Sequence, residues 1–474
     1  MKYFTNFIGH KKITPNKDKI IEIKDFDNNI IAKVPEISSW ELIRTFHAAR
    51  KGKQNVQKIG IKDMFNIFSK ASDNYRLNDK YDKFICLSRG NPISKVIESR
   101  NIISELLKNF QSILDENFFA KRFNGTIDRK RYHINYSPVG IVGLISSSTT
   151  REVTPYAALH ALAMRNSLII KAESKEPFSS LELAENLINS GVPQDSISVI
   201  TANINNMPDL GYKLHKNTNR LIIFGSDENI RKISYYGIKD HIDTDELSKL
   251  PLPKDIISYG TGRSKSIVDK STELNNVAKQ IMQSAVELPS LCLKSQFAIV
   301  DQSIYDSFLD ECCNIAKNMK KGSLLDKKTK VGHVHPEYIP VANSMIQNAI
   351  KLGGEIASGG LIKNPQTDPI IIKELPLESS LFREECYAPV LGVISSKSFK
   401  NTIEMLNKSV EHTTDKSSLK ISYFGESIEN FNKLIHEAKG IEFSNNKKTT
   451  DVNPIIPHQG INLARELTIA RMID

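Results

Sequence analysis

The chain has 474 residues, of which 40% are hydrophobic and 25% charged, and this ordinary globular composition argues against a disordered or fibrous protein. No apolar run reaches the ~18 residues of a membrane helix, and the first residues lack the apolar core of a signal peptide, so we expect no membrane span. The net charge of +10 comes mainly from lysines spread along the chain, whereas nucleic-acid binders usually cluster arginines with stacking aromatics, so we expect no nucleic-acid partner.

The cysteines are odd in number, scattered and without a CxxC pair. They are Cys86, Cys292, Cys312, Cys313 and Cys386. This pattern disfavours a disulfide framework and a zinc ribbon. It predicts a cytoplasmic protein in a reducing environment, with no bound metal.

The first part of the chain predicts a β-hairpin followed by helices. Residues 20–35 alternate apolar and polar side chains around an Asp-Asn-Asn turn, a pattern typical of a hairpin. Ser38 predicts the start of a helix, because serine is a favoured N-cap residue. Residues 38–118 then continue with apolar residues at spacings of three and four, which predicts further helices.

The remainder predicts a projecting hairpin and then two α/β regions. Residues 119–138 are polar, basic and β-prone around Asn124 and Gly125, which predicts a hairpin rather than core. From residue 139 onward, apolar strands alternate with amphipathic helices, which is typical of βαβ units and a parallel sheet. A second run of this kind begins near residue 251. The predicted fold class is therefore α/β, with two parallel-sheet domains.

Cys292 is the first candidate for chemistry. It lies in a predicted loop between a long helix and a buried strand, where a cysteine can be both exposed and oriented. A thiolate is a strong nucleophile for carbonyl carbon. The alternative is a buried structural cysteine, which local sequence alone favours.

Two predicted strands end in residues that suit a dinucleotide. Lys171 ends the strand SLIIK, and ligands of open α/β sheets bind at such strand ends. Gly225 and Ser226 follow the strand RLIIF and open a helix, which is a natural site for a pyrophosphate. The GxGxxG fingerprint does not occur. A surface lysine and a tight turn are the alternatives.

Glu385 lies in the segment FREECYAPV, just before another apolar strand. A carboxylate at this position can accept hydrogen bonds from a sugar diol. The alternative is a surface salt bridge.

The order and spacing of these segments resemble the aldehyde dehydrogenase superfamily over nearly the whole chain. SPVGIVGLISSS and LAMRNSLIIKAES are similar to the first two strands of the family's nucleotide domain. RLIIFGSDENIRK resembles the strand and helix at the pyrophosphate, and FREECYAPVLGVI and GIEFSNN follow in family order. The resemblance implies an aldehyde dehydrogenase-like α/β fold and possible kinship with its acylating, acyl-thioester reductase branch.

The resemblance also implies a domain organisation. Residues 1–118 and 139–250 would form the nicotinamide-cofactor-binding domain, and residues 251–450 the catalytic domain. Residues 119–138 and 451–474 would form an oligomerisation hairpin and a C-terminal arm. A homodimer or higher homo-oligomer is therefore expected.

The resemblance implies a role for individual residues. Cys292 matches the nucleophile that forms a thioester with the substrate. Lys171 matches the lysine at the adenosine ribose, Gly225 and Ser226 match the pair at the pyrophosphate, and Glu385 matches the glutamate at the nicotinamide ribose. The residues expected to bind the cofactor, NAD or NADP, are Lys171, Glu173, Ser174, Gly225, Ser226, Glu385 and Tyr387.

The sequence departs from the family at the residues that assist the nucleophile. Tyr259, in the stretch YGTGR, stands where the family has its general-base glutamate, and a tyrosine with a pKa near 10 is a poor base at pH 7. Glu287, shortly before Cys292, is the alternative base. The family's oxyanion asparagine has no clear match, and Thr149 or Thr150 stands nearest to its position.

The segment KAES departs from the family in the order of its last two residues, Glu173 and Ser174. A glutamate at the ribose repels a 2′-phosphate, so its displacement weakens the preference for NAD. Lys171 together with Lys175 would then favour NADP.

These departures define three functional hypotheses. The first is an NAD(P)-dependent oxidoreductase that interconverts an aldehyde and an acyl thioester such as acyl-CoA, since a thiol acceptor ionises near pH 8.5 and needs less help from a base. The second is a hydrolytic aldehyde dehydrogenase with a non-standard base. The third is a catalytically degenerate member that acts as a binding or structural subunit.

Overall fold

A computed structural model describes most of the chain and divides it into two compact units. The described residues are 2–14, 19–118, 124–127, 130–147, 149–236, 246, 250–260, 262–270, 273–413, 416–451 and 458–473. The first unit comprises Met1–Arg89, Val96–Gly260 and Pro454–Asp474, and the second comprises Gly90–Lys95 and Thr261–Asn453.

The strands of the described residues are short, as is usual for an α/β protein. In chain order they are β1 (Lys2–Tyr3), β2 (Asn6–Ile8), β3 (Lys11–Ile13), β4 (Ile20–Lys24), β5 (Ile30–Pro35), β6 (Asn124–Ile127), β7 (Lys130–Pro138), β8 (Ile141–Ile145), β9 (Ser167–Lys171), β10 (Ile197–Ile200), β11 (Arg220–Phe224), β12 (Ile256–Tyr259), β13 (Lys265–Val268), β14 (Phe297–Asp301), β15 (Glu355–Ser358), β16 (Ile370–Lys373), β17 (Val390–Ser396), β18 (Ser418–Phe424), β19 (Gly440–Asn445) and β20 (Thr468–Ile473).

The helices alternate with these strands after the helical N-terminal region. In chain order they are α1 (Ser39–Gln57), α2 (Ile61–Leu77), α3 (Asp82–Arg89), α4 (Ile93–Lys108), α5 (Phe110–Asn117), α6 (Val153–Ala163), α7 (Phe178–Ser190), α8 (Met207–Asn217), α9 (Asp227–Ser234), α10 (Leu274–Val286), α11 (Tyr305–Asn318), α12 (Ile339–Lys351), α13 (Ser380–Arg383), α14 (Phe399–Lys408), α15 (Ile428–Glu437) and α16 (Leu463–Glu466).

The N-terminal predictions are confirmed. Strands β4 and β5 pair antiparallel and form the expected hairpin. Helix α1 begins after Ser38, whose hydroxyl accepts the N–H of Glu41 at 3.2 Å, while the Glu41 carboxylate accepts the N–H of Ser38 at 2.8 Å. This reciprocal capping box satisfies two backbone donors that the first helical turn leaves unpaired.

The main sheet of the first unit has the strand order β12-β11-β8-β9-β10-β2-β3. The strands from β12 to β10 run parallel, and β2 joins β10 antiparallel. Every residue of β8, β9 and β10 is buried, as expected of central parallel strands covered on both faces. Because these strands are parallel, Lys171, Gly225 and Tyr259 share the carboxyl edge of the sheet.

The main sheet of the second unit has the strand order β15-β16-β17-β14-β13-β18-β19. All neighbours pair in parallel except the edge strand β15. Apolar clusters cover both of its faces. The segments that precede β13, β14, β17 and β18 therefore lie at one amino edge of the sheet. The predicted α/β fold, with a parallel sheet in each unit, is confirmed.

The predicted hairpin is present in the described residues of 119–138. Strands β6 and β7 pair antiparallel, and β20 adds to β7 from the C-terminal segment. Asn124 and Gly125 lie within β6 and pair with His133 and Tyr132, so they do not form the turn. The oligomerisation role of this three-stranded sheet stays a prediction. Among the helices of the described residues, none is long and apolar enough to cross a membrane.

Candidate active site

Cys292 lies in the loop between α10 and β14, at the amino edge of the second sheet. The loop folds back through two tight turns, in which the N–H of Leu291 donates to the Leu288 carbonyl at 3.0 Å and that of Lys294 to the Leu291 carbonyl at 2.9 Å. Cys292 is a free, half-buried cysteine. Its side chain packs against the apolar cluster of Leu291, Leu293 and Leu419.

Gly262, just before β13, allows the backbone of Cys292 to approach closely. A Cβ on Gly262 would lie 1.8 Å from the carbonyl oxygen of Cys292 and 2.9 Å from its Cα, so only glycine fits. The Gly262 carbonyl accepts the N–H of Leu419 at 2.7 Å, and the Ser264 hydroxyl donates to the Cys292 carbonyl at 3.2 Å. The Cys292 loop is thus held by the segment that precedes β13, and this segment is itself bonded to β18. Sequence reasoning did not assign Gly262, although it stands in the stretch YGTGR.

Glu385 is held at the same edge by two hydrogen bonds. The N–H of Gly262 donates to Oε1 at 3.2 Å, and the hydroxyl of Tyr387 donates to Oε2 at 2.7 Å. Burial raises the pKa of Glu385, while these two hydrogen bonds and the charges of Arg263 and Lys294 oppose the rise. The carboxylate therefore has a defined position and is not part of a surface salt bridge.

The charges around Cys292 disfavour its thiolate. Burial raises the pKa of the thiol to about 12, and the negative charges of Glu385 and Glu442 contribute to the rise. Backbone N–H groups of Cys292 and Leu293 oppose it. The thiol is therefore protonated at neutral pH and needs a proton acceptor in order to react. The sequence analysis did not identify Glu442, although it is a charged residue within the otherwise apolar strand GIEF.

Lys294 is a second buried group that sequence reasoning missed. Its ammonium donates to the carbonyl of Val390 at 3.1 Å. Burial lowers the pKa of Lys294, while the charges of Cys386 and Glu385 oppose this. The site of the second unit therefore brings together Cys292, Glu385 and Tyr387, with a lysine close to the carboxylate.

Lys171 ends β9 at the carboxyl edge of the first sheet, as predicted. Its side chain is only 3% exposed, so it is not a surface lysine. Its ammonium donates to the Ser174 hydroxyl at 2.7 Å. Burial lowers the pKa of Lys171 to about 8, and the charge of Glu173 opposes this. The buried amine is thus a positive group whose charge changes near neutral pH.

Glu173 is engaged by the backbone rather than free at the strand end. Its Oε2 accepts the N–H groups of Lys175 and Glu176, each at 2.6 Å. Ser174, not Glu173, contacts Lys171. A neutral hydroxyl therefore stands beside the lysine, while the carboxylate organises the turn that leads into α7.

Gly225 and Ser226 connect β11 to α9. The Ser226 hydroxyl caps the helix by accepting the N–H of Asn229 at 3.4 Å, and the N–H of Gly225 donates to the Tyr259 carbonyl at 3.1 Å. A Cβ on Gly225 would have no neighbour closer than Asn229 Cβ at 4.0 Å, so open space lies beside the helix start. Helix N-termini attract anions because their N–H groups and dipole point outward.

Tyr259 is enclosed by aromatic rings. Its ring, 1% exposed, stacks on Phe224 with a centroid distance of 4.6 Å and lies 5.5 Å from the ring of His458. Within the described part of the chain, its buried hydroxyl makes no hydrogen bond. Burial raises the pKa of Tyr259 well above its ordinary value, and the charges of Tyr156 and Glu466 add to this. Tyr259 is therefore not suited to accept a proton.

Glu287, the alternative base, forms an ion pair. It lies directly after α10, is 5% exposed, and its Oε2 lies 2.7 Å from the ammonium of Lys95. Glu287 is therefore not a solvated helix end.

Thr149 and Thr150 follow β8 in the first unit, and both are half-buried. The Thr149 hydroxyl lies 2.8 Å from that of Ser147, and the N–H of Glu152 donates to the Thr150 hydroxyl at 3.5 Å. Both threonines therefore keep hydroxyls beside the end of a central strand. Their oxyanion role stays a prediction.

Comparison with known proteins identifies relatives over the whole chain. The model of the aldehyde dehydrogenase family matches residues 13–464. A lactaldehyde dehydrogenase of Methanocaldococcus jannaschii is 24% identical, over 92% of this chain and 89% of that protein. A D-glyceraldehyde dehydrogenase (NADP(+)) of Picrophilus torridus is 22% identical, over 82% of this chain and 80% of that protein.

The fold is similar to that of solved structures. The glyceraldehyde-3-phosphate dehydrogenase GapN of Methanocaldococcus jannaschii, complexed with NADP, has a TM-score of 0.82 at 20% identity, with 96% of this chain and 98% of that chain covered. A salicylaldehyde dehydrogenase of Pseudomonas putida G7 has a TM-score of 0.86 at 15% identity, with 100% and 98% covered. At this identity the likeness shows the fold.

Proposed function

Because the chain belongs to the aldehyde dehydrogenase family, we propose that it oxidises a small aldehyde with NADP through a thioester on Cys292. The observation that supports this most is the position of Cys292, a free cysteine whose loop packs on Gly262, the residue that also hydrogen-bonds Glu385. The relatives named for lactaldehyde and D-glyceraldehyde favour a short hydroxy-aldehyde as the substrate.

The residues of the first unit fit an NADP cofactor. The buried ammonium of Lys171 and the hydroxyl of Ser174 are donors for ribose or phosphate oxygens, and the Glu173 carboxylate that would repel a 2′-phosphate is occupied by backbone N–H groups. The open space at Gly225 allows the backbone and the start of α9 to receive a pyrophosphate. When bound, the nicotinamide accepts a hydride from the substrate carbon.

The chain's own residues supply the covalent step in this proposal. The Cys292 sulfur attacks the aldehyde carbon, and the Cys292 backbone N–H stabilises the oxyanion. Glu385 orients the nicotinamide ribose through its carboxylate, which Tyr387 and the backbone hold in place.

The enclosure of Tyr259 favours a second candidate function, acyl transfer to a thiol. A base that activates water typically contributes about 10²–10⁴ in rate, and Tyr259 has neither the pKa nor the exposure for that task. A thiol such as coenzyme A requires less activation than water. The same enzyme would then interconvert an aldehyde and an acyl thioester, and would reduce acyl-CoA with NADPH in the reverse direction.

A rapid-mixing experiment separates these functions. The enzyme is mixed with NADP and lactaldehyde or glyceraldehyde, and NADPH formation is followed by absorbance with and without coenzyme A. A first burst of NADPH followed by steady turnover in water supports hydrolysis, whereas turnover only with coenzyme A supports acyl transfer. Absence of a burst with every aldehyde would overturn both and favour the degenerate subunit.

The role of Cys292 is tested by a matched pair of variants. Cys292→Ser should abolish the burst. Cys313→Ser, at a free and half-buried cysteine on α11, should leave it unchanged. Equal bursts in the two variants would contradict the proposed nucleophile.

A further inference from the structure

Cys292 lacks the electrostatic help that ordinarily activates a cysteine. Reactive cysteines usually lie beside Lys, Arg or protonated His, which stabilise the thiolate. The charges that act most on the Cys292 thiol are instead those of two carboxylates, Glu385 and Glu442, and they raise its pKa. A thiol in such surroundings reacts efficiently only if its proton leaves as the sulfur attacks.

The structure links one of these carboxylates to the Cys292 loop through a shared residue. Gly262 contacts the Cys292 backbone so closely that it has no room for a Cβ, and its N–H donates to Glu385 Oε1 at 3.2 Å. Tyr387 holds Oε2 at 2.7 Å. Because each carboxylate oxygen has two acceptor positions, both oxygens retain one for a further proton.

We propose that the Glu385 carboxylate is the proton acceptor for the Cys292 thiol when the sulfur attacks a substrate. This inference rests on the proposed role of Cys292 as the nucleophile. It assigns to Glu385 a task beyond that of holding a ribose, and it explains how the reaction begins although Tyr259 stands in the position of the family's base. In this proposal Glu385 receives the thiol proton and is in this sense a catalytic residue.

The proton transfer also removes an unfavourable charge. The sulfur–carbon bond forms, the S–H bond breaks, its proton moves to a Glu385 oxygen, and the carbonyl electron pair moves to the substrate oxygen. Glu385 becomes neutral in this step, so its repulsion of the developing thiolate disappears. One proton is thus shared by the pair, which titrates as a unit.

Other polar and charged groups around Cys292 and Glu385 influence the pKa of the Glu385 carboxylate and of the Cys292 thiol. Tyr387, Arg263 and Lys294 act on Glu385, and each lowers its pKa against the effect of burial. Glu442 acts on the thiol. The Tyr387 hydroxyl pKa is raised by burial, by Glu385 and by Cys292, so this hydroxyl stays a donor. The Tyr387 hydrogen bond therefore orients the carboxylate.

Alkylation of the cofactor-free enzyme by iodoacetamide tests the inference without involving a ribose. In this reaction the sulfur–carbon bond forms, iodide leaves, and the thiol proton must be accepted. If Glu385 accepts it, Glu385→Gln should slow the alkylation of Cys292 at pH 7 by about tenfold or more. If the Glu385 charge only opposes thiolate formation, the same variant should speed alkylation, which would overturn the inference.

The neighbouring Glu384→Gln provides a matched control. Glu384 is exposed, so its loss should leave the alkylation rate within about twofold of the wild type. Mass spectrometry identifies the alkylated cysteine. A wild-type Cys292 that resists iodoacetamide would overturn the proposed nucleophile itself, whereas an alkylated Cys292 with an unslowed Glu385→Gln variant would overturn only the role of Glu385.

Tyr387→Phe supplies a second measurement that does not depend on the stability of the glutamine variant. The Tyr387 hydrogen bond lowers the pKa of Glu385, so its removal should raise that pKa. The acidic limb of the alkylation rate against pH should then move to higher pH, because protonated Glu385 cannot accept the thiol proton. An acidic limb that stays in place in Tyr387→Phe would contradict the inference.

Discussion

The two units place their candidate site residues at opposite edges of their sheets. In the first unit, Lys171, Gly225 and Tyr259 lie at the carboxyl ends of parallel strands. In the second unit, Cys292 and Glu385 lie in segments that precede parallel strands, at the amino edge. Equivalent architecture therefore supports two different kinds of site.

The difference shows in how the residues are held. Among the described residues at the carboxyl edge of the first sheet, Gly225 faces open space and the Lys171 ammonium donates a hydrogen bond to the Ser174 hydroxyl. At the amino edge of the second sheet, Gly262 packs against the Cys292 backbone and also hydrogen-bonds Glu385. The first edge is suited to receive an anionic ligand, and the second holds a nucleophile in a fixed position.

The largest effect is expected from Gly262→Ala, which challenges the fixed position of the second site. The new Cβ would overlap the Cys292 carbonyl, so the Cys292 loop must move. Since a displacement of about 1 Å at a reacting group costs about 10² in rate, we expect the NADPH burst rate to fall by that factor or more. Gly360→Ala is the control, because its Cβ would meet nothing within 4 Å. Equal burst rates in Gly262→Ala and Gly360→Ala would show that the second site does not depend on a fixed position of the Cys292 loop.

The next effect concerns the charge of Lys171. Its pKa, lowered to about 8, implies that the ammonium is lost as pH rises through 8. NADP affinity, measured by calorimetry, should fall over the same range in the wild type. Lys171→Met should weaken binding by about tenfold or more at pH 7 and remove this pH dependence. Lys213→Met, at an exposed lysine paired with Asp209, should preserve both.

The same shift has a defined consequence for stability. The unfolded chain retains this proton up to the ordinary pKa of 10.5, whereas the folded chain releases it near 8. The unfolded state therefore binds more protons between these values, so the Lys171 contribution to the free energy of unfolding becomes more favourable as pH rises from 8 to 10.5. A contribution that falls over this range would contradict the burial of a charged lysine.

The site residues of the first unit could be predicted from the sequence because general rules of α/β folds state where ligands bind. Strand patterns locate Lys171 and Gly225, and parallel strands bring their carboxyl ends to one edge. Cys292 and Glu385 precede their strands, where no such rule applies, and only the family resemblance joined them. The contact of Gly262 with Cys292 and the pairing of Glu287 connect residues far apart in sequence, and no local pattern encodes such contacts.

Glu287→Gln tests whether Glu287 is a catalytic base, as its position in the sequence suggested, or a structural residue paired with Lys95. Loss of the charged partner of Lys95 should lower the free energy of unfolding by about 1–3 kcal/mol, as measured in urea. Lys95→Met should have a similar effect, and the double variant should show that the two losses are not additive. Abolished oxidation with an intact first burst would instead identify Glu287 as the base.

The smallest effect is expected from Tyr259→Phe. The Tyr259 hydroxyl is buried and makes no hydrogen bond to the described residues, while its ring stacks on Phe224. Its removal should therefore leave the free energy of unfolding unchanged or raise it by up to about 1 kcal/mol.

Tyr75→Phe is the matched control in the same unit. The Tyr75 hydroxyl is also buried, but it donates to Glu182 at 2.9 Å, so its loss should destabilise the protein by about 1–3 kcal/mol. A comparable loss of stability in Tyr259→Phe would reveal a partner for the Tyr259 hydroxyl. Because a buried phenol without a hydrogen-bond partner does not stabilise the folded state through its hydroxyl, a neutral result would indicate that Tyr259 contributes to stability through the stacking of its ring.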